Sequence, residues 1–354
     1  MTPGARTSVE LRRSPRLQGV SEMATLGCAF GETQNPPQNP PLGEVAVVHY
    51  PWHMRSDLER ALQLIQSKES SSVEQALGLL QNTVFSFSMK VCGHPQDAED
   101  TMQDVLMKSL SYLPKFENAQ ALSVWLYRVA RNRCISSHRG SNLSAARSLS
   151  LDELMPDHRE LLELLESNTP NPEAAILNSE IGERLRRAIL KVPPHYRMVL
   201  VLHDMEELNT TEVAQVTGLR EGTVRVRLHR ARLMVRKFLS RKAKPVKGST
   251  IHASVEPANT PGCRKLFAAL SDYMDGLVDD AVCEQMDRHI NDCRPCQAFL
   301  QSLKGAVQQC RAYSPKCDSR RGQVLRTQLV SQYQAAVAAL AKRKQTAGGA
   351  ALVQ

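Results

Sequence analysis

From Leu58 onward, apolar residues recur every three or four positions: Leu58, Leu62 and Ile65, then Ala76, Leu77, Leu80 and Val84. That spacing places them on one face of a 3.6-residue turn and predicts helices. Similar periodicity predicts helices over roughly 97–113 and 121–139, joined by a loop around 114–120. A second helical block covers about 174–240 and a cysteine-bearing one about 263–310, followed by a helix-prone tail to about Lys344. Alternating β-branched runs are scarce, so the expected fold class is all-α. The N-terminal stretch, with its run Asn35-Pro36-Pro37-Gln38-Asn39-Pro40-Pro41, lacks periodic apolar positions and reads as disordered. Met23 and Met54 are internal candidates for the translation start.

No apolar run approaches the roughly 18 residues of a membrane span; the longest, such as Ala335 to Ala341, fall far short. Arg6, Arg12, Arg13 and Arg16 are not followed by the apolar block of a secretory signal, so the expected location is the cytoplasm, with no membrane partner. The chain has nine cysteines in 354 residues, and five of them fall between Cys263 and Cys310. An odd, clustered set argues against a disulfide framework and for thiols or a metal site.

The formal charge of +9 is concentrated rather than spread. Between Arg220 and Lys247 stand eleven basic residues against one acid, Glu221. Such density is the footprint of a surface that contacts phosphates, because each neutralised phosphate releases condensed counterions. Thr210 to Thr217 reads as a short capped helix stopping at Gly218, a natural left-handed position, with a second helix starting near Glu221. Val224, Leu228, Ala231, Val235 and Phe238 form its buried stripe. The other side carries Thr223, Val226, His229 and Arg230, flanked by Arg225, the pattern of a helix-turn-helix recognition helix.

The segment Arg220-Glu221-Gly222-Thr223-Val224-Arg225-Val226-Arg227-Leu228-His229-Arg230-Ala231-Arg232 resembles the signature of domain four in the extracytoplasmic-function (group IV) sigma factors of bacterial RNA polymerase. Pro193-Pro194-His195-Tyr196-Arg197-Met198-Val199-Leu200 is similar to that family's upstream helix entry. The resemblance implies recognition of the promoter −35 element through Arg220, Thr223, Arg225, Val226, Arg227, His229 and Arg230. Asp97-Ala98-Glu99-Asp100 followed by Gln103-Asp104-Val105-Leu106 resembles the domain-two helix that grips the clamp helices of the polymerase largest subunit. Asp97, Asp100 and Asp104 share a helix edge suited to arginines on a partner, and Gln103 completes the expected polymerase contact. Val124 to Arg133 resembles the helix that reads and melts the −10 element. Arg128, Arg131 and Arg133 are its expected phosphate contacts, and the loop from Phe116 to Ala121 is the expected pocket for a flipped-out base.

His289-Ile290-Asn291-Asp292-Cys293-Arg294-Pro295-Cys296 is an H-x3-C-x2-C element. His289 and Cys293 share one helix face, and Pro295 is expected to end that helix and turn Cys296 back toward them. Tetrahedral zinc needs a fourth ligand, for which Cys263 and Cys283 are the candidates. The arrangement, with Tyr273-Met274-Asp275-Gly276 between the helices, resembles the zinc-binding anti-sigma domain, and Cys263 is the choice.

The expected organisation is a disordered extension over 1–53, sigma domain two over 54–147, a linker over 148–173, and sigma domain four over 174–243. A linker over 244–260, an anti-sigma-like zinc domain over 261–312 and a helical or flexible tail over 313–354 follow. The expected function is non-enzymatic: binding core RNA polymerase and directing it to the −10 and −35 elements of promoter DNA. The zinc domain is expected to contact the sigma domains of its own chain and regulate them. The competing reading is a stand-alone zinc- or redox-responsive helix-turn-helix regulator that needs no polymerase.

Overall fold

The computed structural model describes residues 53–67, 70–110, 112–137, 149–157, 160–161, 164–165, 179–240, 261–317 and 319–349. The described residues contain no strand, and their regular structure is all helical. The extension expected over 1–53, except for its last residue, and the linker expected over 244–260 lie outside the described residues.

The first group of helices is α1 (His53–Gln66), α2 (Ser70–Cys92), α3 (Pro95–Ser109) and α4 (Ala119–Ser137). The centre is α2, which packs against the other three and buries Leu77, Leu80, Val84 and Phe87, together with polar Gln81, Ser88 and Lys90. Each fully buried Leu or Phe contributes roughly 1.5–3 kcal/mol, so this one helix anchors much of the core. It stops at Gly93, whose φ of +76° favours glycine; an added Cβ there would also sit 2.5 Å from Leu190. Pro95 then opens α3 with Asp97 in its first turn, both placed where a helix start favours them.

After the short α5 (Leu151–Leu154) come α6 (Ser179–Lys191), α7 (Pro194–Leu200), α8 (Thr210–Thr217) and α9 (Glu221–Ser240). Helix α7 runs directly into a π-helical turn, Val201–Met205. Within the expected linker over 148–173, the described residues pack: Leu154 and Leu161 are buried, Glu160 pairs with Arg236, and the Lys237 ammonium donates to the Glu153 carbonyl.

The C-terminal helices are α10 (Pro261–Met274), α11 (Asp280–Asp292), α12 (Arg294–Ala312) and α13 (Arg320–Gly349). Helices α10 and α12 lie against α9, whereas α13 crosses back onto α2 and α3, burying Leu325, Leu329 and Tyr333. The chain thus folds back on both of its earlier helical groups.

Candidate nucleic-acid and polymerase interfaces and metal centre

Helix α8 starts with a capping box. Asn209 Oδ1 accepts from the Glu212 amide at 2.9 Å, and Glu212 Oε2 accepts from the Asn209 amide at 2.8 Å. It stops at Gly218 (φ 71°), after which α9 begins at Glu221, giving the expected helix-turn-helix. Val224, Leu228, Ala231 and Val235 are buried as one stripe, with Phe238 partly buried at its end. On the outer face Arg220 and Thr223 are exposed and Val226 is 58% exposed, while Arg225, Arg227 and Arg230 are half-buried. His229 is buried, with its ring edge-on to Phe267 of α10 at 5.8 Å.

On α3, Asp97, Asp100, Gln103 and Asp104 are all partly exposed along one edge, above buried Ala98, Met102, Val105 and Leu106. Arg133 of α4 pairs with Asp104 at 2.5 Å. Exposed Arg128 donates to the Gln215 carbonyl of α8 at 2.7 Å, and half-buried Arg131 faces a cavity between α4 and α7. Trp125, partly buried, packs beside Tyr112 and Phe116, with ring centroids 5.2 and 5.7 Å away, at the loop expected to hold a flipped base.

The sulfur and nitrogen atoms of Cys263, His289, Cys293 and Cys296 all lie within 4.8 Å of one another. His289 Nε2 stands 3.4 Å from both Cys263 and Cys296. Tetrahedral zinc with Zn–S of about 2.3 Å and Zn–N of about 2.0 Å sets its ligand atoms roughly 3.5–3.8 Å apart, so the donor set fits a closed four-ligand site. Burial, then the neighbouring Cys293 and Cys263 side chains, push the Cys296 thiol up, a cost that a bound cation would offset at this ligand. Pro295 does not end the helix as expected. Helix α11 ends at Asp292, Cys293 alone forms the bend at φ −114° and ψ 94°, and Pro295 sits in the first turn of α12, where a missing N–H costs little.

Family models match in the order this geometry requires. Sigma-70 region 2 covers residues 78–143, sigma-70 region 4 covers 182–235, and a zinc-finger model covers 263–297. The chain is 23% identical over 186 residues to the ECF RNA polymerase sigma factor SigW of Bacillus subtilis, a match covering 52% of this chain and 98% of that protein. It is 26% identical over 185 residues to the RNA polymerase sigma-H factor of Pseudomonas aeruginosa, covering 51% of this chain and 93% of that protein. The chain belongs to the extracytoplasmic-function sigma factors. It directs transcription initiation, and like other members it is not an enzyme. Sigma factors bind core RNA polymerase and promoter DNA, and the match to region 2 beside region 4 favours that reading over a stand-alone regulator. No described helix of this sigma factor is long and apolar enough to cross a membrane.

The two sigma regions meet through charges that the sequence did not single out. Lys90 of α2 donates to Glu206, just after the π-turn, at 2.9 Å, with both side chains fully buried. Tyr127 of α4 donates to the other Glu206 oxygen at 2.7 Å. Burial pushes the Glu206 carboxyl up, opposed by the charge of Lys90 and by these hydrogen bonds. Arg197 caps the same contact by donating to the Val91 carbonyl at 2.6 Å; burial draws its guanidinium down to about 10.

A second buried charge joins the zinc-finger helices to region 4. Arg232 donates to both Asp204 oxygens at 2.7 and 2.6 Å, to both Asp275 oxygens at 2.8 Å, and to Ser271 Oγ at 2.8 Å. Burial alone would raise the Asp204 carboxyl, but Arg232's charge and hydrogen bonds, with His203, hold it well below the usual carboxylate range. Arg236 lies over the Phe299 ring at 4.1 Å and pairs with Glu160 at 2.5 Å. Two members of the basic run are therefore internal ties rather than phosphate contacts. Finally, Arg321 of α13 pairs with Asp100 at 2.7 Å and stands 3.7 Å from Glu99, on the α3 edge expected to meet polymerase. The signal for these ties was weak: Lys90, Asp204 and Glu206 lay in no noted motif, and Tyr127, Arg197, Arg232, Asp100 and Asp275 lay in motifs read for other roles.

Proposed function

We propose that this sigma factor rests in a closed arrangement that its own C-terminal helices maintain, and that it must open to engage a promoter. The observation that carries this reading is the seat of α8 on α4, with the Arg128 guanidinium on the Gln215 carbonyl. The −10 and −35 elements are nominally about 25 base pairs apart, roughly 85 Å at about 3.4 Å per pair. With α4 seated on the first helix of the helix-turn-helix, α4 and α9 are held too close to serve both elements at once. In the open form, Arg128, Arg131 and Arg133 take phosphates near −10. Arg220, Thr223, Arg225, Val226, Arg227, His229 and Arg230 take the −35 element, while Asp97, Asp100, Gln103 and Asp104 take the polymerase clamp helices. The domain limits that go with this reading are 54–147 and 174–243 for the two sigma domains and 261–312 for the metal domain, with the cytoplasm as the site of action.

Zinc is the ion proposed for Cys263, His289, Cys293 and Cys296, since three sulfurs and one imidazole at tetrahedral spacing suit it. It supplies structure and no reaction. The four residues tie the start of α10 to the α11–α12 bend, which fixes Phe267, Asp275 and Phe299 against α9. The test is a distance between labels on α4 and α8, read in the free chain and in the promoter complex with core polymerase. The reading expects a short distance in the free chain and one longer by tens of ångströms on the promoter; an unchanged distance overturns it.

A further inference from the structure

Two thiols outside the metal cluster have no part in any of this. Cys92 ends α2 and Cys134 lies one residue past Arg133 on α4, and their sulfurs are 2.9 Å apart, with Cys92 donating. A disulfide is about 2.05 Å long, so the pair is within about 1 Å of bonding distance. Sulfurs that share a tetrahedral zinc stand roughly 3.8 Å apart, so this pair is too close to hold a metal between them. Cys134 is buried, 4.0 Å from Thr101 Oγ1, while half-buried Cys92 is reachable. Both line a cavity of about 380 Å³ between the two sigma domains, together with Arg131, His195, Met198 and Arg227. A small polar oxidant fits that space.

We propose that Cys92 and Cys134 are a reversible thiol–disulfide site in domain two, oxidised by hydrogen peroxide. The Cys134 thiolate attacks a peroxide oxygen, the O–O bond breaks, and the leaving hydroxide takes a proton to become water, which leaves a sulfenic acid. Cys92 then attacks that sulfur, the S–O bond breaks, and a second water leaves with the Cys92 proton. Two thiols and one peroxide become one disulfide and two waters. A small dithiol reductant reverses the reaction by thiol–disulfide exchange and is itself oxidised to a disulfide. The shared proton supports the order of attack: the Cys92 hydrogen bond lowers the Cys134 thiol, and the same bond raises Cys92. The new bond staples α2 to α4 beside Arg133, leaving domain four covalently free.

The test uses the full chain loaded with zinc, treated with peroxide, alkylated after unfolding, and mapped with trypsin. Cleavage after Lys90, Lys108, Arg133 and Arg139 places the two thiols in separate peptides, 91–108 and 134–139. The proposal expects these two peptides to appear cross-linked, with equal loss of alkylatable Cys92 and Cys134, and expects a dithiol reductant to restore both. In Cys92→Ser, Cys134 should instead be trapped as a sulfenic-acid adduct. Cys92 and Cys134 remaining fully alkylatable while the metal-cluster cysteines oxidise would overturn it. So would over-oxidation of Cys134 in the unsubstituted chain with no cross-linked peptide.

Discussion

Replacing Glu206 by Ala should switch the resting chain toward its open form. In the closed form Lys90 and Glu206 are both fully removed from water and 2.9 Å apart. In the open form each returns to solvent. Removing the carboxylate strands the Lys90 ammonium inside the closed contact and leaves Tyr127 Oη without its acceptor. Removing one partner of a buried pair costs about 3–5 kcal/mol. Because the penalty falls on the closed form alone, the closed-to-open ratio should drop by about 150-fold or more, at about 1.4 kcal/mol per factor of ten. The assay is promoter-specific transcript yield with core polymerase at limiting sigma factor, alongside the α4–α8 label distance. Glu206→Ala should raise the yield and lengthen the distance in the free chain. A matched apolar replacement, Lys90→Met with Glu206→Met and Tyr127→Phe, should close the chain again, because well-packed apolar groups substitute for a buried ion pair at little cost. A folded Glu206→Ala chain that keeps the short distance and the resting yield would mean that the buried Lys90–Glu206 pair does not hold the chain closed.

Arg321→Ala should tighten binding to core polymerase only a few-fold, because the Asp100 pair it removes is exposed and such pairs contribute about 0.2–1 kcal/mol; a titration of labelled core enzyme reads this. Cys293→Ser should abolish stoichiometric zinc and loosen α10 to α12, read by metal analysis and amide hydrogen exchange, while α1 to α4 keep their protection. Docking of the zinc-finger helices should weaken in acid. Burial first, then Arg232 and Arg230, draws His229 down to about 4, and neither ring nitrogen has a hydrogen-bond partner among the described residues. A released His229 takes up a proton near 6.5, so the undocked form binds more protons between those values. Docking is therefore full above about pH 6.5 and falls by up to about tenfold per unit toward pH 4. His229→Phe should flatten that dependence, as read by protection of α10 with intrinsic exchange rates corrected for pH.

The helices and both sigma motifs were legible because they rest on local rules. The stripe from Val224 to Phe238, the stop at Gly218 and the H-x3-C-x2-C spacing each follow from a 3.6-residue turn or a tetrahedral ligand set. Contacts made at long range were not legible. Arg232 looks like its basic neighbours in the sequence, and only the fold brings Asp204, 28 residues away, and Asp275, 43 residues away, to its two sides. Lys90 and Glu206, separated by 116 residues, carry no pattern at all. Charge density along a helix does not reveal which of its charges point inward, so the basic run of α9 overstated the phosphate surface by Arg232 and Arg236. Pro295 was misread for a related reason: proline both ends and begins helices, and the chain used the second option.

The most direct test of the account is transcription from one promoter by core polymerase with the full chain or with a chain ending at Ser240, which lacks α10 to α13 but keeps both sigma domains. Promoter-specific transcripts that depend on this protein are expected, with a higher yield from the shortened chain. An equal or lower yield from a folded shortened chain would contradict it.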